Sequence, residues 1–195
     1  KAKFLQGEFE SLTDNINILD LPQSQIARIR AIQGHAFFEQ RKFERAAQMF
    51  QRALSLAPDE VEVQLGQVKL FRINKQMIQE SDLVSSLLEK YPENADVLMT
   101  TGNFYRLQGD YSKALELFNR AGLIQTSNVN VWFGITRSYI GNRDFTAAKK
   151  EIDKVLINYP EHQVANYLLA TIAYQEGKYD RAKSAIQIVL KGQKR

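Results

Sequence analysis

The sequence predicts an all-α fold, a right-handed superhelical solenoid of stacked helix-turn-helix pairs. Three observations lead there. The stretch GDYSKALELFNRAG at 109–122 has near-copies at 41 (RKFERAAQMFQRAL), 143 (RDFTAAKKEIDKVL) and 177 (GKYDRAKSAIQIVL), and all the starts differ by multiples of 34 residues. Apolar residues recur at three- and four-residue intervals through both halves of each period, the mark of helices with one buried face. With 10 glycines and 4 prolines in 195 residues, the composition disfavours both disorder and an all-β architecture.

With Gly34 at position 8 of the period, repeats run 27–60, 61–94, 95–128, 129–162 and 163–195, without insertion or deletion. Residues 1–26 extend the frame backwards as a partial repeat, because GEFESLTDNINILD at 7 aligns Gly7 and Phe9 with Gly109 and Tyr111. Each repeat is expected to hold one helix over about positions 2–14 and a second over about 17–30.

The elements follow in order. In the first helix, position 11 is aromatic in four repeats, Phe37, Phe71, Tyr105 and Tyr139, and Ala173 in the fifth. Gly109 and Gly177 stand where that helix must stop, since glycine accepts the left-handed cap. Asp110 and Asp144 follow as caps for the second helix. There, position 20 reads Ala46, Glu80, Ala114, Ala148, Ala182, and position 24 reads Phe50, Val84, Phe118, Ile152, Ile186. A small residue at 20 lets two backbones approach, and a large one at 24 fills the space beside it. Proline at position 32 (Pro58, Pro92, Pro160) ends each pair. The second repeat departs most, with Val68 at position 8 and Glu80 in the alanine column. That glutamate implies either a splayed helix pair or a charge offset by Lys75 and nearby groups.

The run Gly34, Phe37, Ala46, Phe50, Ala53, Pro58, with Trp132 at position 4 of the fourth repeat, resembles the tetratricopeptide repeat. The resemblance covers Ala27 to about Leu190 and implies a protein that binds other proteins without catalysis. More narrowly, VWFGITRSYIGNRDFTAAKKEIDKVL and HQVANYLLATIAYQEGKYDRAKSAIQIVLK look like the tetratricopeptide lipoproteins that accompany PEP-CTERM/exosortase systems. That likeness implies an envelope protein tied to exopolysaccharide production and protein sorting. It would be periplasmic or held to a membrane by a lipid upstream of Lys1; a cytoplasmic assembly scaffold is the alternative.

In stacked helix pairs the first helices line a concave face. Helical spacing puts positions 2, 5, 9 and 12 on that face. The candidate groove is therefore Arg28, His35, Lys69, Arg72, Met99, Asn103, Arg106, Phe133, Arg137, Tyr167 and Tyr174. Lys69, Arg72, Arg106 and Arg137 form a basic middle, and Phe133, Tyr167 and Tyr174 an aromatic end. Arginine pairs with carboxylates, and exposed aromatics anchor a peptide or stack on a sugar. The expected ligand is a protein or peptide segment, acidic or amphipathic, or else an anionic polysaccharide. Chaperone-binding relatives carry a carboxylate clamp of which only Asn103 fits here, beside Met99 at position 5, so that function is not carried over.

Other classes find no support. The net charge of +4 is spread too thinly for a nucleic-acid stripe. No cysteine is present, His35 and His162 are far apart, and no catalytic or phosphate-binding motif occurs, so neither enzyme activity, metal nor cofactor is expected. The last helix ends without a polar capping helix, which predicts self-association through open repeat ends.

Overall fold

The computed structural model describes residues 21–192, and these form ten helices joined by short turns. They are α1 Gln23–Glu39, α2 Phe43–Leu56, α3 Val61–Ile73, α4 Met77–Lys90, α5 Ala95–Gln108, α6 Tyr111–Ile124, α7 Val129–Gly141, α8 Phe145–Leu156, α9 Gln163–Gln175 and α10 Tyr179–Gly192. Odd-numbered helices are the first of each pair and even-numbered helices the second. No strand occurs among the described residues. The partial repeat expected over 1–26 lies largely outside them. The chain divides into two compact units, Lys1–Tyr91 and Pro92–Arg195, a boundary at the end of the second repeat.

One device ends the first helix of every repeat. The position 15 residue takes a left-handed backbone: Arg41 at φ 60°, Lys75 at 57°, Gly109 at 85°, Arg143 at 60° and Gly177 at 74°. The next N–H (Lys42, Gln76, Asp110, Asp144, Lys178) donates to the carbonyl five residues back (Phe37, Phe71, Tyr105, Tyr139, Ala173) at 2.8–2.9 Å. The position 15 N–H itself reaches the carbonyl three residues back. Together these two bonds make a Schellman motif. Glycine is present at only two of the five places, so three repeats hold a side chain where it is strained.

Second helices start on Asp110 and Asp144 as expected, each carboxylate accepting from the N–H three residues on at 3.0 Å. First helices start on Asn94 and Asn128, which cap through their side-chain oxygens. His162 does the same through Nδ1, accepting from the Ala165 N–H at 3.2 Å.

The core of each unit is built around position 24. Phe50 is fully buried between Gly34 of α1 and Gly66 of α3; a Cβ on either glycine would lie 2.5 Å from its ring. Phe118 sits likewise between Gly102 of α5 and Gly134 of α7, with a Cβ on Gly102 3.1 Å away and one on Gly134 closer still. In the fourth repeat the smaller Ile152 is matched by Thr136 and Leu168, the residues at the same two positions. Volume is thus traded between one residue of the second helix and two first-helix residues that flank it. Trp132 joins the Ile152 cluster and donates its Nε1–H to the Glu151 carbonyl at 3.0 Å.

Candidate binding surface

In the unit of residues 1–91, the predicted groove cations all have carboxylate partners. Arg28 donates to Glu60 Oε2 through Nε at 2.9 Å and Nη2 at 2.7 Å, with Glu62 3.7 Å away. Lys69 Nζ lies 3.1 Å from Glu39 Oε1 and 4.8 Å from the Phe38 ring centroid. Burial holds its ammonium below the ordinary lysine range. Arg72 reaches Glu80 Oε1 through Nε at 2.8 Å and Nη2 at 2.5 Å, and Glu80 is buried.

The expected strip of free positive charge through Lys69 and Arg72 is therefore neutralised at its source. Of the two accounts expected for Glu80, the charge offset by a nearby group holds, and the group is Arg72 of α3 rather than Lys75. The Lys69 and Arg72 partners lie on other helices, so the spacing along one stripe could not reveal them.

His35 is not an open groove residue. Its ring meets Phe50 edge-on with centroids 5.1 Å apart. Burial pushes its pKa down to about 3, the Lys69 charge adds to that shift, and a hydrogen bond with the Glu62 backbone opposes it. At position 5, Ala31 and Leu65 are buried in the core, so this column faces outward only in the later repeats.

In the unit of residues 92–195 the surface is different. Met99 is half-buried, with the Asn128 amide 3.5 Å from its sulfur. Asn103 Oδ1 accepts from Arg106 Nε at 3.4 Å on the same helix. Phe133 packs on Trp132 at 4.9 Å, and the exposed Arg137 guanidinium stands 5.8 Å from the Phe133 centroid. Tyr167 is 51% exposed and Tyr174 66% exposed. Tyr174 meets Tyr179 edge-on at 5.6 Å, and Tyr179 is itself exposed. The stripe of positions 2, 5, 9 and 12 does not include Tyr179, which stands at position 17 and opens the second helix of its repeat. α7 and α9 share one apolar cluster with α8. What the geometry offers here is large aromatic area, hydroxyl groups and the exposed Arg137 guanidinium, a chemistry suited to binding.

Comparisons with known proteins bear on the family and the fold. The chain is 28% identical over 106 residues to the general transcriptional corepressor trfA of Dictyostelium discoideum, covering 53% of this chain and 8% of that protein. It is 26% identical over 129 residues to ER membrane protein complex subunit 2 of the same organism, covering 66% and 40%. The chain thus spans less than half the length of either relative. A tetratricopeptide repeat protein from Parabacteroides merdae ATCC 43184 superposes with a TM-score of 0.68 at 17% identity, covering 85% of this chain and 64% of that one, a likeness of fold alone. The family model described as Tetratricopeptide repeat matches residues 33–77, 82–126 and 135–191, more than half of the chain. With helix pairs on a 34-residue period and a family match across all five of them, the chain belongs to the tetratricopeptide repeat family.

Proposed function

We propose that the protein is a non-catalytic scaffold that holds an extended partner segment against the outward faces of α7 and α9. The observation that carries this is the exposure of Tyr167 and Tyr174 on α9, together with Arg137 over Phe133 on α7. Aromatic and arginine side chains are the usual anchors of protein interfaces. A partner carboxylate would pair with Arg137, and partner apolar side chains would cover the tyrosines. Support comes also from family membership and from a relative named as a subunit of a membrane protein complex.

The setting we propose is the bacterial envelope, within exopolysaccharide or protein-sorting machinery. The sequence likeness of residues 131–156 and 162–191 to exosortase-associated lipoproteins supports it. Fractionation of source cells tests it: recovery with the envelope supports the reading, and recovery wholly in the cytosol refutes it.

The binding surface is tested by affinity capture from envelope extract. The chain is compared with a copy carrying Arg137→Glu, Tyr167→Ser and Tyr174→Ser. A protein retained by the first and lost from the second is the expected result. Capture of polysaccharide by the unaltered chain alone would shift the ligand class to carbohydrate. Equal capture by both would refute the surface.

A further inference from the structure

The fifth repeat carries a cleft, and its cause is visible in the repeat pattern. Position 11 is aromatic in four repeats and Ala173 in the fifth. Beside Ala173 a cleft of about 520 Å³ opens between α8, α9 and α10. Leu169 and Ala173 of α9, with Ala185 and Ile188 of α10, supply its apolar lining. Lys149 of α8 closes one side, tied to Glu176 through both carboxylate oxygens at 2.7 and 2.8 Å. The volume lies in the range of small-ligand sites.

The same repeat position shows what a filled place looks like. In the first repeat, Arg45 lies 5.7 Å and Lys42 5.9 Å from the Phe37 ring centroid. In the third, Lys113 lies 4.0 Å from the Tyr105 centroid and donates to its hydroxyl at 2.7 Å. Arg45 and Lys113 both occupy position 19, and position 19 of the fifth repeat is Arg181, which lines the cleft. Arg181 is exposed and makes no ion pair among the described residues. The cation that covers a ring is thus retained while the ring is missing. A guanidinium is attracted to the negative face of an aromatic ring and to a phenol oxygen, so the charge complementarity selects an aromatic over an aliphatic occupant.

We propose that this cleft receives an aromatic side chain, tyrosine or phenylalanine, from a partner peptide, which lies beneath Arg181 as Phe37 and Tyr105 lie beneath Arg45 and Lys113. The site uses a different stripe of α9 (169, 173, 176) from the one that carries Tyr167 and Tyr174. It is therefore a second contact place, and it stands or falls separately from the surface of α7 and α9.

The test is an NMR titration of the 195-residue chain with N-acetyl-tyrosinamide, with N-acetyl-leucinamide as the comparison. The tyrosine probe should shift the amides of Leu169, Ala173, Ala185 and Ile188 saturably, and the leucine probe should bind several-fold more weakly. Ala173→Tyr restores the repeat pattern; it should abolish the response and raise the melting temperature. Arg181→Gln, a surface change that leaves the packing intact, should weaken the tyrosine probe about two- to five-fold. Equal shifts from both probes would overturn the proposal. So would shifts that persist in a folded Ala173→Tyr protein. Should that variant fail to fold, unchanged affinity in Arg181→Gln would overturn it alone.

Discussion

Glu80 stands in a column that otherwise holds alanine, and its pairing with Arg72 makes an asymmetric prediction. The Glu80 side chain is 7% exposed and the Arg72 side chain 25%. Arg72→Ala leaves a carboxylate confined at the contact of α3 and α4 with no partner. Breaking a buried pair from one side costs about 3–5 kcal/mol. Glu80→Ala is different. It frees a guanidinium that already reaches water, and it installs the residue that Ala46, Ala114 and Ala148 show fits the column with no exposure. The loss is then the favourable placing of an acid in the first turn of α4, roughly 0.3–1 kcal/mol. The double variant should cost what Glu80→Ala costs alone, which gives a coupling of about 3–5 kcal/mol. Urea unfolding followed by circular dichroism measures the three variants, and amide exchange in α3 and α4 localises the effect. Equal losses from the two single changes, or a larger loss from Glu80→Ala, would refute the assignment of Arg72 as the group that makes a buried glutamate tolerable.

Three further predictions are independent of that pair. Gly66→Ala places a Cβ 2.5 Å from the Phe50 ring and should destabilise by about 1–3 kcal/mol, with Phe50→Leu recovering part of the loss in the double variant; additive losses in thermal melts would contradict the volume trade. Arg41→Gly, Lys75→Gly and Arg143→Gly each relieve a left-handed side chain and should stabilise by roughly 0.5–1 kcal/mol, while Gly109→Ala should cost about 1 kcal/mol; the same melts decide. His35, whose folded pKa is about 3 against about 6.5 for a free histidine, is neutral in the fold where an unfolded chain would be charged. Its contribution is fully present above pH 6.5 and is lost as pH falls towards 3, so His35→Gln should flatten the loss of stability across that window; an imidazole NMR titration near 6.5 would contradict the cause.

The period, helix limits and most core columns were legible because they depend on local pattern. Ala46, Phe50 and Ala53 repeat at fixed spacing and are wholly buried. Two parts of the fold were legible yet missed. Gly66 and Gly134 occur only after a position 24 phenylalanine, but the pairing spans two repeats and shows only when columns are compared across them. The left-handed turn at position 15 was read where glycine marks it, at Gly109 and Gly177, and missed at Arg41, Lys75 and Arg143. There the two Schellman hydrogen bonds outweigh the preference of the side chain. The surface was least legible. Lys69 and Arg72 sit on the stripe that spacing assigns, yet Glu39 and Glu80 reach them from neighbouring helices. A stripe read one helix at a time carries no information about such partners. Tyr167, Tyr174 and Arg137 come from the same stripe and stay exposed, with no carboxylate paired to Arg137 among the described residues.

The most direct test of the binding account is site-specific photocrosslinking in source cells. A benzophenone side chain replaces Tyr167 or Tyr174 in one pair of proteins and the exposed Lys150 of α8 in a control. The account predicts one discrete protein adduct from both tyrosine positions, none from position 150, and loss of the adduct when Arg137→Glu is added. Adducts from position 150 alone, or tyrosine adducts indifferent to Arg137→Glu, would contradict it.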